Sequence, residues 1–167
     1  RTSMIILIVF TFFTLRLYSL FISIRHAKQL QLKGATEYGK RNSTWLALTH
    51  IAIYVVATIE AWLHQTIMNS LSIIGLVLMT FAYMILFMVI KTLGPIWTLK
   101  LYILPQHPII KSGLFKITKH PNYFLNIVPE LIGLLLLTQA IFAAPLLLPY
   151  AYLLWNRIRQ EERMMHI

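Results

Sequence analysis

Ser70-Leu71-Ser72-Ile73-Ile74-Gly75-Leu76-Val77-Leu78-Met79-Thr80-Phe81-Ala82-Tyr83-Met84-Ile85-Leu86-Phe87-Met88-Val89-Ile90 runs without a charged residue. A bilayer core takes about 20 apolar residues to cross as a helix, so this stretch predicts a transmembrane segment. Two runs of similar character stand upstream, Met4 to Ile24 and Trp45 to Ile67. Downstream, Tyr123 to Trp155 is divided by Gln139 to Pro145. Its first limb, Tyr123 to Thr138, rises only about 24 Å as a helix, so we read the stretch as a short or tilted helical hairpin. Composition agrees: 58% hydrophobic and 12% charged residues over 167 is too apolar for an ordinary soluble domain. The first run lacks an A-x-A-like cleavage site and other spanning runs follow it, which argues against a signal peptide. The expected fold is all-α, an integral membrane helical bundle of about five helical segments with a C-terminal helical hairpin, forming a single domain over residues 1–167.

Charge orients this bundle. Arg25, Lys28, Lys33, Lys40 and Arg41 separate the first two runs; Lys91, Lys100, Lys111, Lys116 and Lys119 follow the third; Arg157, Arg159 and Arg163 follow the hairpin. The alternate connections, Gln65 to Asn69 and Gln139 to Ala144, carry neither Lys nor Arg. The positive-inside rule then predicts a multi-pass protein with its N-terminus outside and its C-terminus cytoplasmic. Topology and attraction to anionic lipid account for the net charge of +10 without a nucleic-acid partner. The chain has no Cys, which removes disulfides and thiolate nucleophiles, and no Asp, which removes the usual Ser-His-Asp apparatus. No G-x-G-x-x-G or Walker loop occurs, and His107, His120 and His166 with Glu161 and Glu162 show no familiar metal-ligand spacing, so no metal site is expected.

Polar groups in so apolar a chain concentrate where chemistry is done. One cluster runs from Lys111 to Tyr123, and a second is Arg157-Ile158-Arg159-Gln160-Glu161-Glu162; three of the five Glu fall in or between them. Between Lys91 and Asn122, Gly94, Pro95, Pro105, Pro108, Gly113 and Pro121 forbid a long helix. Broken backbone of this kind is tolerated near a membrane where it is covered by protein or lines a polar cavity. The longest polar stretch, Arg25 to Thr44, is expected to be a loop turning at Gly34 and Gly39. Seven residues beyond Tyr123, Glu130 returns to within about 20° of the same helical face, with Asn126 nearby. Pro129 frees the carbonyl of Leu125 beside it. Arg16, the other ionisable group inside an apolar run, is its natural partner, as a structural pair or as part of a site. On the second run His50, Tyr54 and His64 share a face, His50 near the cytoplasmic end, with Glu60 and His64 toward the outer one.

The run His107-Pro108-Ile109-Ile110-Lys111-Ser112-Gly113-Leu114-Phe115, then Lys119-His120-Pro121-Asn122-Tyr123, then Arg157 with Glu161-Glu162 resembles the isoprenylcysteine carboxyl methyltransferase family of integral membrane methyltransferases. The family pattern is Gly-hydrophobic-Tyr, then Arg-His-Pro-x-Tyr, closed by an Arg and a Glu-Glu pair. Here Phe115 stands for the Tyr and Lys119 for the Arg, a change that is not conservative at a bidentate contact. Glu130, Trp97-Thr98 and the segment from Lys33 to Gly39 are similar to a short bacterial branch associated with O-methylation of alkylpyrone polyketides, which implies a bacterial cell membrane. The resemblance implies S-adenosylmethionine as donor, held by His107, Ile109, Ile110, Gly113, Phe115, His120, Pro121, Tyr123, Arg157, Glu161 and Glu162.

On the acceptor side Arg16, Glu130 and His50 are expected to serve the reaction, and Asn126, Tyr54 and Trp97 to line the substrate. The expected reaction is in-line methyl transfer to an oxygen, an acidic enol or carboxylate, of a lipophilic small molecule such as an alkylpyrone. Phospholipid N-methylation, carboxyl methylation of a prenylated cysteine and a non-catalytic lipid-binding role are the alternatives. Docking of a polyketide synthase is left open by the sequence.

Overall fold

The computed structural model describes residues 2–105 and 120–165. Five α-helices occur there: α1 (Thr2–Leu32), α2 (Lys40–Leu63), α3 (Ser70–Leu93), α4 (Val128–Thr138) and α5 (Leu147–Met165). The first three are long and apolar enough to cross a membrane. Side chains such as Leu7, Phe10, Trp62, Leu148 and Trp155 stand exposed around the bundle, where lipid rather than water would cover them. The all-α reading and the C-terminal hairpin of α4 and α5 both hold.

Helix ends differ from the edges of the apolar runs. α1 continues eight residues past Ile24, because Arg, Lys, Gln and Leu are good helix formers and neither Gly nor Pro interrupts them before Gly34. Arg25 to Thr44 is therefore mostly helix, correcting the expected loop; only residues 33–39 connect α1 to α2. Gly34 and Gly39 do turn the chain, at φ +91° and +61°. Within this connection β1 (Thr36–Tyr38) pairs antiparallel with β2 (Leu101–Ile103), Glu37 opposite Tyr102. α3 starts at Asn69, whose side chain accepts the Ser72 amide at 3.1 Å, and stops at Gly94 and Pro95.

Pro129 coincides with a change of helix type. Residues Asn122–Ile127 wind as a π-helix directly ahead of α4, and the Val128 amide donates to the Tyr123 carbonyl five residues back. The wider turn absorbs the donor that proline lacks. α4 packs along α3 at a glycine crossing: a Cβ on Gly75 would lie 2.3 Å from the Leu137 nitrogen, and one on Gly133 would lie 2.7 Å from the Gly75 carbonyl oxygen. Small residues let membrane helices approach this closely.

The two ends of the bundle have different chemistry. Lys28, Lys33, Lys40, Lys100, Arg157 and Arg163 belong to one end, with His120 and Glu161. At the opposite end Glu60, buried on α2, accepts hydrogen bonds from the backbone amides of Ile141, Phe142 and Ala143, and Gln139 donates to the Ile67 carbonyl and the Ser72 hydroxyl, each at 2.8 Å. This carboxylate latch anchors the hairpin turn to the rest of the bundle.

Candidate functional site

Four helices and the π-helical segment converge on Glu130, which is fully enclosed. One carboxylate oxygen pairs with the Arg16 guanidinium from α1. The other accepts from the Tyr54 hydroxyl, from Tyr83 of α3 at 3.1 Å and from His50 Nε2 at 3.2 Å. Asn126 Oδ1 accepts from Arg16 at 3.4 Å while its Nδ2 donates to Asn122 at 2.9 Å. His50 Nδ1 meets the Tyr150 hydroxyl of α5 at 3.1 Å. The Arg16 guanidinium also lies over the Tyr83 ring, 5.2 Å from its centre. A buried carboxylate this thoroughly paired is the only kind an apolar interior tolerates.

A second cluster forms at the basic end. The His120 carbonyl accepts the Tyr123 and Phe124 amides at 3.1 and 3.0 Å, so Pro121 sits in a first turn where its missing N–H costs nothing. That turn aims the buried His120 ring at α5, 3.7 Å from Glu161 and 3.5 Å from Glu162, while the Tyr123 hydroxyl donates to Glu161. Burial alone would lower the His120 pKa, but hydrogen bonding and attraction from the two carboxylates raise it above the ordinary 6.5. Burial likewise opposes Glu161, yet hydrogen bonds from His120 and Tyr123 and the Arg157 charge hold its carboxyl below 4.5. Arg157 does not pair with the glutamates; it donates to the Ser43 hydroxyl and the Leu99 carbonyl, both at 2.6 Å, tying α5 to α2 and to the segment before β2.

A cavity of about 580 Å³ runs from the Arg16 and His50 side of the first cluster to Tyr123 of the second. Arg16, His50 and Tyr150 lie at its deep end, Asn122, Tyr123 and Arg157 along one wall, and Lys28, Gln31, Lys100 and Tyr102 at the basic end. The remaining walls include Leu17, Leu20, Ile24, Leu48 and Ile51, apolar side chains of α1 and α2 that are also exposed on the outside of the bundle. An amphipathic molecule therefore finds polar groups inside and an apolar flank open to lipid.

A sequence model of the isoprenylcysteine carboxyl methyltransferase family matches residues 73–167, more than half of the chain. This chain belongs to that family. An uncharacterized protein of Haemophilus influenzae is 55% identical over 152 residues, covering 90% of this chain and 88% of that protein. Uncharacterized protein YpbQ of Bacillus subtilis is 27% identical over 145 residues, covering 85% of this chain and 84% of its own length. No solved structure matches. As a member of the isoprenylcysteine carboxyl methyltransferase family the chain is a membrane methyltransferase.

Family methyltransferases use S-adenosylmethionine, and the basic-end cluster fits such a group. Two carboxylates beside a buried His and a Tyr provide acceptors for ribose hydroxyls and for an ammonium group, and the cavity reaches Tyr123 and Arg157 directly. Among residues expected to hold it, His120, Pro121, Tyr123, Arg157, Glu161 and Glu162 are brought together at this end. His107, Ile109, Ile110, Gly113 and Phe115 lie outside the described residues. Of the acceptor-side expectations, Arg16 and His50 face the cavity, whereas Glu130, Tyr54 and Asn126 stand behind them as their supports. Trp97 is buried elsewhere, its carbonyl 2.7 Å from His26 Nδ1.

Tyr83, Ser43 and Tyr150 were not anticipated from sequence. Tyr150 carried a signal: Tyr150, Leu154, Arg157 and Glu161 recur at steps of four, three and four along α5, one stripe facing inward.

Proposed function

We propose that this methyltransferase acts on an oxygen of a lipophilic small molecule, an acidic enol such as an alkylpyrone or a carboxylate, seated in the cavity with its tail toward the apolar side chains of α1 and α2. The observation that carries this reading is the cavity that runs from Arg16, His50 and Tyr150 to Tyr123, whose hydroxyl donates to Glu161 of the donor-side cluster. When bound, S-adenosylmethionine supplies a methyl carbon on a sulfonium, open to attack by the acceptor oxygen.

The protein's own part is to hold and orient. Arg16 lines the cavity, and its contacts to Glu130 and Asn126 both come from one terminal nitrogen, so the guanidinium retains donors for an acceptor oxygen. Glu130 fixes that guanidinium and the His50 ring from behind, and the greasy walls exclude water, which strengthens each polar contact.

The test is purified protein in nanodiscs with radiolabelled donor and an undecyl-substituted 4-hydroxy-2-pyrone, the product identified by mass spectrometry. Arg16→Met is expected to lower methyl transfer at least about 100-fold while donor affinity changes less than about twofold, because positioning supplies most of the rate in such a reaction. Loss of donor binding in Arg16→Met, or full turnover of a folded Arg16→Met/Glu130→Leu double variant, would mark the pair as structural.

A further inference from the structure

His50 is bonded at both ring nitrogens, and for the neutral ring the nature of the two partners sets the direction of each bond. Glu130, already paired with Arg16, is a carboxylate and can only accept, so His50 Nε2 carries the proton at that 3.2 Å contact. Nδ1 of the neutral ring is then a lone pair, and at 3.1 Å it accepts the Tyr150 hydroxyl proton. The single O–H of Tyr150 is thereby committed to His50. What the Tyr150 oxygen has left on the cavity side is an acceptor, not a donor. Such an oxygen is matched by a molecule that presents a proton.

We propose that Tyr150 is a catalytic residue that accepts the proton of a neutral acceptor hydroxyl and relays it to His50, so that the site also takes phenol- or enol-type acceptors that arrive protonated. This rests on the oxygen-acceptor reading above and extends it to neutral hydroxyls. The balance is simple. The acceptor O–H bond breaks and its electron pair stays on the acceptor oxygen as the nucleophilic pair; the proton passes to the Tyr150 oxygen as the tyrosine's own proton passes to His50 Nδ1. Tyrosine ends unchanged, and the imidazolium is left against Glu130, whose carboxylate stabilises it through Nε2. Arg16 faces the same end of the cavity and compensates the negative charge that develops on the acceptor oxygen.

Two probes of different acidity test the relay in nanodiscs: para-dodecylphenol, a neutral hydroxyl at pH 7, and the undecyl hydroxypyrone, which is ionised. The wild type should methylate both. Tyr150→Phe should lose phenol turnover by at least about 100-fold, the usual scale of acid-base assistance, and hydroxypyrone turnover at least about tenfold less than that, while unchanged calorimetric binding of S-adenosylmethionine shows that it is folded. His50→Gln should follow the same pattern. Without any donor present, wild type should bind the phenol about tenfold more tightly than its methyl ether, one buried hydrogen bond's worth, and Tyr150→Phe should lose that preference. A wild type that methylates the hydroxypyrone but not the phenol overturns the relay, and so does a Tyr150→Phe that slows both probes equally. A wild type inert toward both probes fails one level earlier, overturning the oxygen-acceptor reading itself.

Discussion

His120 links the two glutamates of α5 to the start of the π-helical segment, and its charge state decides how firmly. A raised histidine pKa contributes stability fully below 6.5 and loses it as pH rises through the folded value; a lowered glutamate pKa contributes above 4.5 and loses it as pH falls through the folded value. Both contributions are complete between about pH 4.5 and 6.5. Glu161→Gln is therefore expected to lower the midpoint of thermal unfolding most within that window, with a smaller difference on either side; a pH-independent difference would show that the pair is not ionic. The double substitution Glu161→Gln/Glu162→Gln should also weaken donor binding by calorimetry, by about tenfold, because charge-assisted hydrogen bonds are about twice as strong as neutral ones. At this scale the sequence disclosed the residues that carry charge, since Arg16 and Glu130 are anomalous in apolar runs. It did not disclose Tyr150 or Tyr83, because a tyrosine in an apolar stretch is unremarkable until its hydroxyl's partner is known.

Glycine decides the closest helix contact. At the crossing of α3 and α4 a Cβ on either Gly75 or Gly133 would meet backbone, which cannot move aside as a flexible side chain can. Gly133→Ala should push α4 outward and displace Glu130, three residues away on the same helix, from its partners on α2 and α3. The expected outcome is a fall in thermal stability together with loss of methyl transfer, whereas Gly34→Ala, where no atom lies within 4 Å of the added carbon, strains only a positive φ in a connection. Equal tolerance of both substitutions would remove the crossing from the list of features that position the site. Helix existence was legible from apolar run length, but helix ends were not. Hydropathy reports where lipid begins, while hydrogen-bonding continues through any polar residue that favours a helix, which is why α1 runs on to Leu32. Likewise Pro129 announced a local irregularity, and only the backbone shows it to be a π-helical widening that carries Tyr123 and Asn126.

Across the whole molecule, the basic end gathers the donor-side cluster and the opposite end gathers neutral turns. With that basic end in the cytoplasm, a Cys introduced at Lys33 of this Cys-free chain should react from inside only, and one at Asn69 from outside only. Labelling of both from one face of intact cells would overturn that orientation. The carboxylate latch of Glu60 bears on how the chain is made. α2 leaves the ribosome long before residues 141–143 exist, so for that interval Glu60 is an acid in a membrane-bound segment with none of its three backbone donors. The early helices therefore gain these donors only when the C-terminal turn has been synthesised, and a chain that ends before residue 141 is expected to present an unsatisfied carboxylate and to be less stable for it.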